Sequence, residues 1–413
     1  MSKLEELIEQ YCPDGVEYVK LGDFATQWYR GAGIKKDEIG QEGIPCIRYG
    51  EIHTIYKIWF DKCVSHTDET KQPSKKYADY GDILFAITSE DIPFIGNSVA
   101  YMGKERIMVG GDIVVMKHTQ NAKYISYALS TIDAIKQKGK GKVKSKVVHT
   151  SVPSLQQIVI PVPPLPVQEE IVRILDTFTE LQAELQAELQ KRKQQYNYYR
   201  DNLLTTFTPN QKAQEYTLEA VTKDIYSGAT PSKEKKEYWE DGTIPWMSSG
   251  EVNLGQVYEV EGRITQLGYD KCSTKMVPEG SVVIALAGQG KTRGTVALLK
   301  TSVCTNQSLA ALVPNTDFVS GEYLFHYLKT QYFKLRNVSS GDGTRGGLNL
   351  KMLREYKVIV PSKEAQSQIV SILDRFDTLT TDLTAGLPAE IEKRRQQYEY
   401  YRDKLLTFKR KGA

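Results

Sequence analysis

The sequence predicts an α+β fold written twice: two mixed α and β globular domains, each followed by a long amphipathic helix. The two helices pair as an intramolecular coiled coil, giving a pseudo-two-fold chain. Three observations predict it. "KRKQQYNYYRDNLLT" at 191–205 returns as "KRRQQYEYYRDKLLT" at 393–407 with 12 of 15 positions identical. "VQEEIVRILDTFTEL" at 167–181 returns as "AQSQIVSILDRFDTL" at 365–379. Both copies also carry an apolar stripe at steps of three and four, the mark of a helix that buries one side.

The divisions follow from these repeats: a first globular domain over 1–164, a helical spacer over 165–208, a second globular domain over 209–362 and a second spacer over 363–413. The first globular domain ends in "IVIPVPP" and the second in "KVIVP". Proline cannot continue a strand ladder but starts a helix well, so both halves switch from sheet to helix at the same point. Upstream, "GIPCIRYGEI" at 43–52 echoes "TIPWMSSGEV" at 243–252, and "YGDILFA" at 80–86 echoes "EGSVVIA" at 279–285. Short β-rich runs between glycine and proline turns give each domain its mixed character.

In the first helix the residues placed on the seam are Ile171, Leu175, Phe178, Leu185, Tyr196, Tyr199 and Leu203; in the second they are Ile369, Leu373, Phe376, Tyr398, Tyr401 and Leu405. A helix over 168–207 is about 60 Å long at 1.5 Å per residue, more than neighbouring sequence can cover. Only the other copy offers a matching stripe. The second copy holds four extra residues near "LTAGLPAEI", where Gly386 and Pro388 should kink or break it. "LQAELQAELQ" at 181–190 is a tandem tetrapeptide; one unit adds about 6 Å while the apolar face drifts only modestly. It reads as an adjustable spacer.

Composition narrows the function. With 413 residues, 40% of them apolar and 25% charged, the chain suits a soluble protein of more than one domain. Its longest apolar runs are too short to span a bilayer, and its N-terminus lacks the pattern of a signal peptide. Five scattered cysteines argue for reduced thiols in a cytosol, and Cys63 with His66 is no metal site. A net charge of +3 says little, but in "KQKGKGKVKSK" the lysines fall at every second residue. If extended, the stretch sets Lys138, Lys140, Lys142, Lys144 and Lys146 on one side, facing a phosphate backbone or simply solvent.

Catalytic patterns are missing. "ALAGQGKT" at 285–292 approaches a phosphate-binding loop, but "RGTVALL" follows and reads as a strand, whereas such a loop must open a helix. A basic hairpin with Lys291 and Arg293 at its tip fits better. The five histidines accompany no nucleophile elbow, and nothing suggests a pocket for S-adenosylmethionine.

The order of parts, "QxxIVxILDxF" and "KRxQQYxYYRDxLLT" in each helical part, and "SGATPSKEKKEYWEDGTIPW" from Ser227 closely resemble the specificity subunit of type I restriction-modification systems. The resemblance covers essentially the whole chain. It is weaker in the first domain, which has "RGAGIKKDE" from Arg30. It implies two target-recognition domains, held apart by antiparallel helices, each reading half of a split double-stranded DNA target. It implies recruitment of two adenine methyltransferase subunits and, through them, restriction and translocase subunits, in a prokaryotic cytosol. Catalysis, S-adenosylmethionine, ATP and Mg would belong to those partners, with no cofactor or metal in this chain.

On that footing the candidate readers are Arg30, Lys35, Lys36, Arg48 and Tyr49 in the first domain. In the second they are Lys233, Lys235, Ser248, Ser249, Lys291, Arg293 and Arg345. Tyr198, Arg200, Tyr400 and Arg402 lie off the stripe, where they either support helix pairing or meet the methyltransferase. Two alternatives stay open: a coiled-coil adaptor without DNA affinity, and an ATP-using enzyme built around Lys291.

Overall fold

The computed structural model describes residues 2–412 except 90–93, 140–141, 145–146, 209–210, 289–291, 339–346 and 382–385. It divides into two compact units, Met1–Gln186 with Ile391–Ala413, and Ala187–Glu390. The boundary falls inside the tandem tetrapeptide and, on the second copy, just after Pro388.

In the first unit a five-stranded sheet runs in the order Ala25–Arg30, Ile113–His118, Ile83–Ala86, Ser98–Tyr101, Trp59–Phe60. Its central strand, Ile83–Ala86, is buried along its whole length, so it reads as a continuous apolar run rather than as an alternation. A second five-stranded sheet contains Ile44–Ile47 and Ile107–Val109. One apolar core, including Leu84, Val99, Tyr101 and Val115, lies on one side of the first sheet. Another, including Phe85, Val114, Tyr124 and Leu129, takes in the helix Ala122–Leu129 and the start of the long helix.

The second unit repeats the plan. Its five-stranded sheet runs Thr222–Ser227, Leu309–Pro314, Val282–Ala285, Val296–Leu299, Gln256–Val257, and the helix Gly321–Thr330 packs on it. Val282–Ala285 pairs antiparallel with Val296–Leu299, so a strand follows the near-match to a phosphate loop, as expected of a hairpin. Residues 289–291, with Lys291, lie outside the described residues.

The long helix is continuous over Leu165–Thr205, 41 residues. The second copy forms two described helices, Lys363–Thr381 and Leu387–Leu405. Pro388 sits in the first turn of the latter, where its missing N–H costs no helical bond. Within the first unit, Phe178 stacks on Tyr401 with ring centroids 5.5 Å apart. Within the second, Tyr199 stacks on Phe376 at 5.7 Å. Within each unit, then, a stretch of one helical copy packs on a stretch of the other.

Burial along the seam follows the expected stripe except at Tyr199, which is 41% exposed although one face stacks on Phe376, and with a shift near its ends. Ile171, Leu175, Ile369 and Leu373 are buried, as are Tyr196 and Tyr398. At the ends Leu204 and Leu406 are buried, while Leu203 and Leu405 are half-buried beside them. A strict seven-residue reading drifts about 20° per heptad against a straight helix, enough to hand the inward place to the next residue.

Candidate nucleic-acid interface

The repeated glutamine and aspartate of the helical signature build a joint in each unit. Gln168 is fully buried; its Oε1 accepts the N–H of Asn121 at 3.0 Å and its Nε2 donates to the Pro163 carbonyl at 2.7 Å. Gln366 does the same with Ser320 at 2.9 Å and Pro361 at 2.9 Å. Asn121 and Ser320 are the N-caps of the helices Ala122–Leu129 and Gly321–Thr330. The glutamine therefore ties the start of the spacer to the start of the domain's own helix, leaving few buried polar atoms unmet.

About two turns on, Asp176 accepts from Lys123 Nζ and Tyr127 Oη, both at 2.7 Å, while Asp374 takes the Nε2 of buried His326 at 2.8 Å. Tyr127 and His326 occupy the same place on their helices, six residues after the N-cap. These joints explain why Gln168, Gln366, Asp176 and Asp374 recur: they are structural. The repetition itself was the signal for them in the sequence.

The domain surfaces differ where the joints agree. In the first unit a cleft of about 440 Å³ gathers Arg30, Arg48, Tyr49 and Asp112 around the backbone of Gly31 and Gly111. Arg30 ends an edge strand. The next residue must be glycine, because a Cβ on Gly31 would lie 2.2 Å from the Gly110 carbonyl. Arg30 donates through Nε to the Gly111 carbonyl and through Nη2 to Asp112 Oδ1 at 2.7 Å, yet its side chain remains 61% exposed. Arg48 opens the short helix Tyr49–Thr54, its own N–H held by Glu51 Oε2 at 2.8 Å. Sequence reasoning had Arg30, Arg48 and Tyr49 and missed Asp112, which no motif marks.

In the second unit Ser227 ends the equivalent edge strand, and a Cβ on the following Gly228 would lie 1.8 Å from the Thr305 carbonyl. Ser248 opens the equivalent helical turn, with its N–H on Glu251 Oε2 at 2.7 Å. The backbone frame of the cleft is thus repeated, and the side chains on it are not. Ser249 is half-buried beside Ser248.

The remaining candidates scatter. Lys35, Lys36 and Lys233 are exposed, and exposed Lys235 donates to Tyr238 Oη at 3.1 Å. Arg293 is half-buried, with its carbonyl taken by Arg336. Arg345, Lys140 and Lys146 lie outside the described residues. Lys142 and Lys144 fall on the strand Lys142–Lys144.

The row of alternate lysines needs correction at Lys138. Thr131 caps a helix over Ile132–Lys138, so this stretch is not extended, and Lys138 turns inward to donate to Ser98 Oγ at 3.3 Å. It is only 7% exposed, and burial pushes its ammonium down to about 7. It faces the core rather than a phosphate.

Of the two roles open to Arg402, its surroundings favour support of helix pairing: it is buried, lies over the Tyr398 ring and pairs with Asp403 at 2.8 Å. Arg200 likewise lies over Tyr196 and pairs with Asp201. Only Tyr198 and Tyr400 of the outward set are open, at 67% and 63% exposure. Among the described residues, no helix is long and apolar enough to cross a membrane.

Comparison with known proteins adds the following. The family model described as "Type I restriction modification DNA specificity domain" matches twice, at residues 13–192 and 210–393. The Escherichia coli "Type I restriction enzyme EcoR124I/EcoR124II specificity subunit" is 39% identical over 293 residues, covering 69% of this chain and 70% of that protein. A putative type I specificity subunit of Mycoplasma pneumoniae is 33% identical over 321 residues, covering 72% and 85%. Among solved structures, a type I restriction-modification S subunit from M. genitalium superposes with a TM-score of 0.56 at 15% identity, covering 95% of this chain and 96% of that one. A chain from a type I R-M system structure gives 0.61 at 19% identity, covering 95% and 97%.

Proposed function

Since the chain belongs to the type I restriction-modification DNA specificity family, we propose that it reads a bipartite, asymmetric duplex DNA target, one half-site per unit. It recruits two adenine methyltransferase subunits and, through them, restriction and translocase subunits. The observation that carries this is the pairing of constant and variable parts. The helix joints at Gln168/Gln366 and Asp176/Asp374 are duplicated, whereas the same strand end and helix start carry Arg30 and Arg48 in one unit and Ser227 and Ser248 in the other.

The joint glutamines are themselves buried, but by repeating the same frame in each unit the joints suit one kind of partner bound twice to equivalent surfaces. Divergent surfaces on a common frame suit two different half-sites. Phosphate contacts would come from exposed lysines, which position without specifying, and base edges would be met by fewer residues. Chemistry, with S-adenosylmethionine, ATP and Mg, is assigned to the partners. The adaptor alternative gives no reason for a repeated backbone frame that carries unlike side chains in the two units.

The test is to map methylated adenines in host DNA with and without this chain, and again after replacing residues 20–150 by the matching segment of another specificity subunit. A split motif that depends on the chain, and that changes in one half only after the replacement, is expected. A motif indifferent to the chain, or methyl transfer by the purified chain alone, defeats the proposal.

A further inference from the structure

Resting on that reading, we propose that Arg30 reads a guanine in the half-site taken by the first unit, with Asp112 as the positioning residue that fixes its guanidinium. In the second unit Ser227 stands at the place of Arg30, so no guanidinium reads the corresponding base pair from that strand end.

The argument begins with the way Arg30 is held. A free arginine loses several rotamers when it binds, whereas Arg30 has its Nε edge on the Gly111 carbonyl and one Nη2 hydrogen on Asp112, so the plane of the fork is set beforehand. The remaining N–H groups belong to a side chain that is 61% exposed in a cleft of about 440 Å³, and among the described residues Arg30 donates to no side chain but Asp112. Guanine offers two adjacent acceptors, O6 and N7, on its major-groove edge. Adenine sets a donor beside N7 and so repels half of the fork.

Asp112 decides between a base and a phosphate. Its carboxylate is 40% exposed and sits on the same guanidinium. A phosphate brought to that fork would meet a like charge, while a base edge carries none and the amino group of the paired cytosine donates to carboxylates. Phosphate contacts are better served by the exposed Lys35 and Lys36, since Lys35 is only loosely paired, with Glu38 at 3.9 Å, and its side chain stays 78% exposed.

The glycine that follows explains why the reader stands here. Gly31 lets the strand end press against the Gly110 carbonyl, so the Arg30 side chain leaves the protein where two backbones nearly touch and little else competes for space. Gly228 does the same in the second unit, but Ser227 precedes it and Ser248 replaces Arg48. A hydroxyl bonds to several base edges and does not demand guanine.

The experiment uses the full chain with its methyltransferase, and reads the methylated motif for the wild type, Arg30→Ala, Arg30→Gln and Asp112→Asn. The half-site of the first unit is the one altered by replacing residues 20–150. In that half-site Arg30→Ala is expected to relax one guanine position, with preference for guanine falling roughly tenfold to a hundredfold, and to leave the other half-site intact. Arg30→Gln should move the preference at that position toward adenine, the base that glutamine matches. Asp112→Asn should relax the same position more weakly.

An unchanged motif with uniformly weaker methylation and a shallower salt dependence would make Arg30 a phosphate contact and overturn the inference. So would relaxation in the other half-site, or loss of all methylation by Arg30→Gln in a chain that still unfolds at the wild-type temperature. A wild-type motif that ignores this chain would instead sink the broader reading, so the two failures are told apart.

Discussion

Gln168 accepts the backbone N–H of Asn121 at 3.0 Å with no exposure to solvent, and so joins the long helix to the domain that precedes it. Replacing Gln168 by Ala leaves that N–H and the Pro163 carbonyl without their buried partner. An unmet buried polar group costs about 1–3 kcal/mol, so Gln168→Ala should lower the unfolding free energy of the first unit by that order, read as a lower denaturant midpoint. Gln366→Ala should do the same to the second unit through Ser320. Hydrogen exchange resolved by peptide should place each loss in its own unit; a uniform effect of either variant on both units would refute the joint.

Lys138 makes stability depend on pH in a defined direction. Its folded value is lowered to about 7 from 10.5, so between about 7 and 10.5 the unfolded chain binds the proton and the folded chain does not. Stability then rises with pH across that window, by at most about 1.4 kcal/mol per pH unit from this group. Below about 7 both states are protonated and its contribution is flat, at its least favourable. Lys138→Met should be more stable than the wild type at pH 6 and should converge on it toward pH 10. Chemical denaturation at those two pH values measures this, and equal differences at both would show that Lys138 is charged throughout.

The same residue shows what the sequence could and could not reveal. Period and repetition made the helices legible, because Ile171, Leu175, Ile369 and Leu373 must face a partner whatever that partner is. The joints were legible as repeated letters, though not as bonds, since Gln168 and Asn121 are 47 positions apart and nothing local links them. The lysine row misled because alternation implies one face only in an extended chain. The Thr131 cap and the first-turn Asp133 favour a helix instead, in which Lys136 and Lys138 point different ways. Asp112 was invisible for the converse reason: its role exists only because strand pairing brings it to Arg30 across 82 positions.

Tyr198 and Tyr400 are separated from Tyr196 and Tyr398 by two residues each, which on a helix turns the side chain well away from its neighbour. The result is a pair of open rings beside a pair of buried ones. Tyr198→Ala and Tyr400→Ala should change stability by less than about 0.5 kcal/mol, as exposed substitutions do. Tyr196→Ala and Tyr398→Ala should cost about 3–5 kcal/mol, the range for large aromatic truncations in a core. If the open rings meet the methyltransferase, each exposed variant should weaken capture of one of two copies, read as a fall in the mass of the assembled complex. Full assembly by the double variant Tyr198→Ala with Tyr400→Ala would remove these rings from that interface.

The tandem tetrapeptide offers the last prediction. No residue from 181 to 190 is buried, and the boundary between the two compact units falls within this stretch, at Gln186 and Ala187. Deleting one "LQAE" unit therefore removes no core side chain. It shortens the helix by about 6 Å, and because four residues turn it by little more than one full revolution, the downstream seam residues Tyr196 and Tyr199 are rotated only modestly. If the helix sets the gap between half-sites, the deletion should shift the number of unread base pairs while both half-sites keep their bases. Insertion of one further unit should shift it the opposite way. Mapping the methylated motif of each variant decides the point: a changed half-site with an unchanged gap would mean that the spacer acts on the reading surfaces and not on their separation.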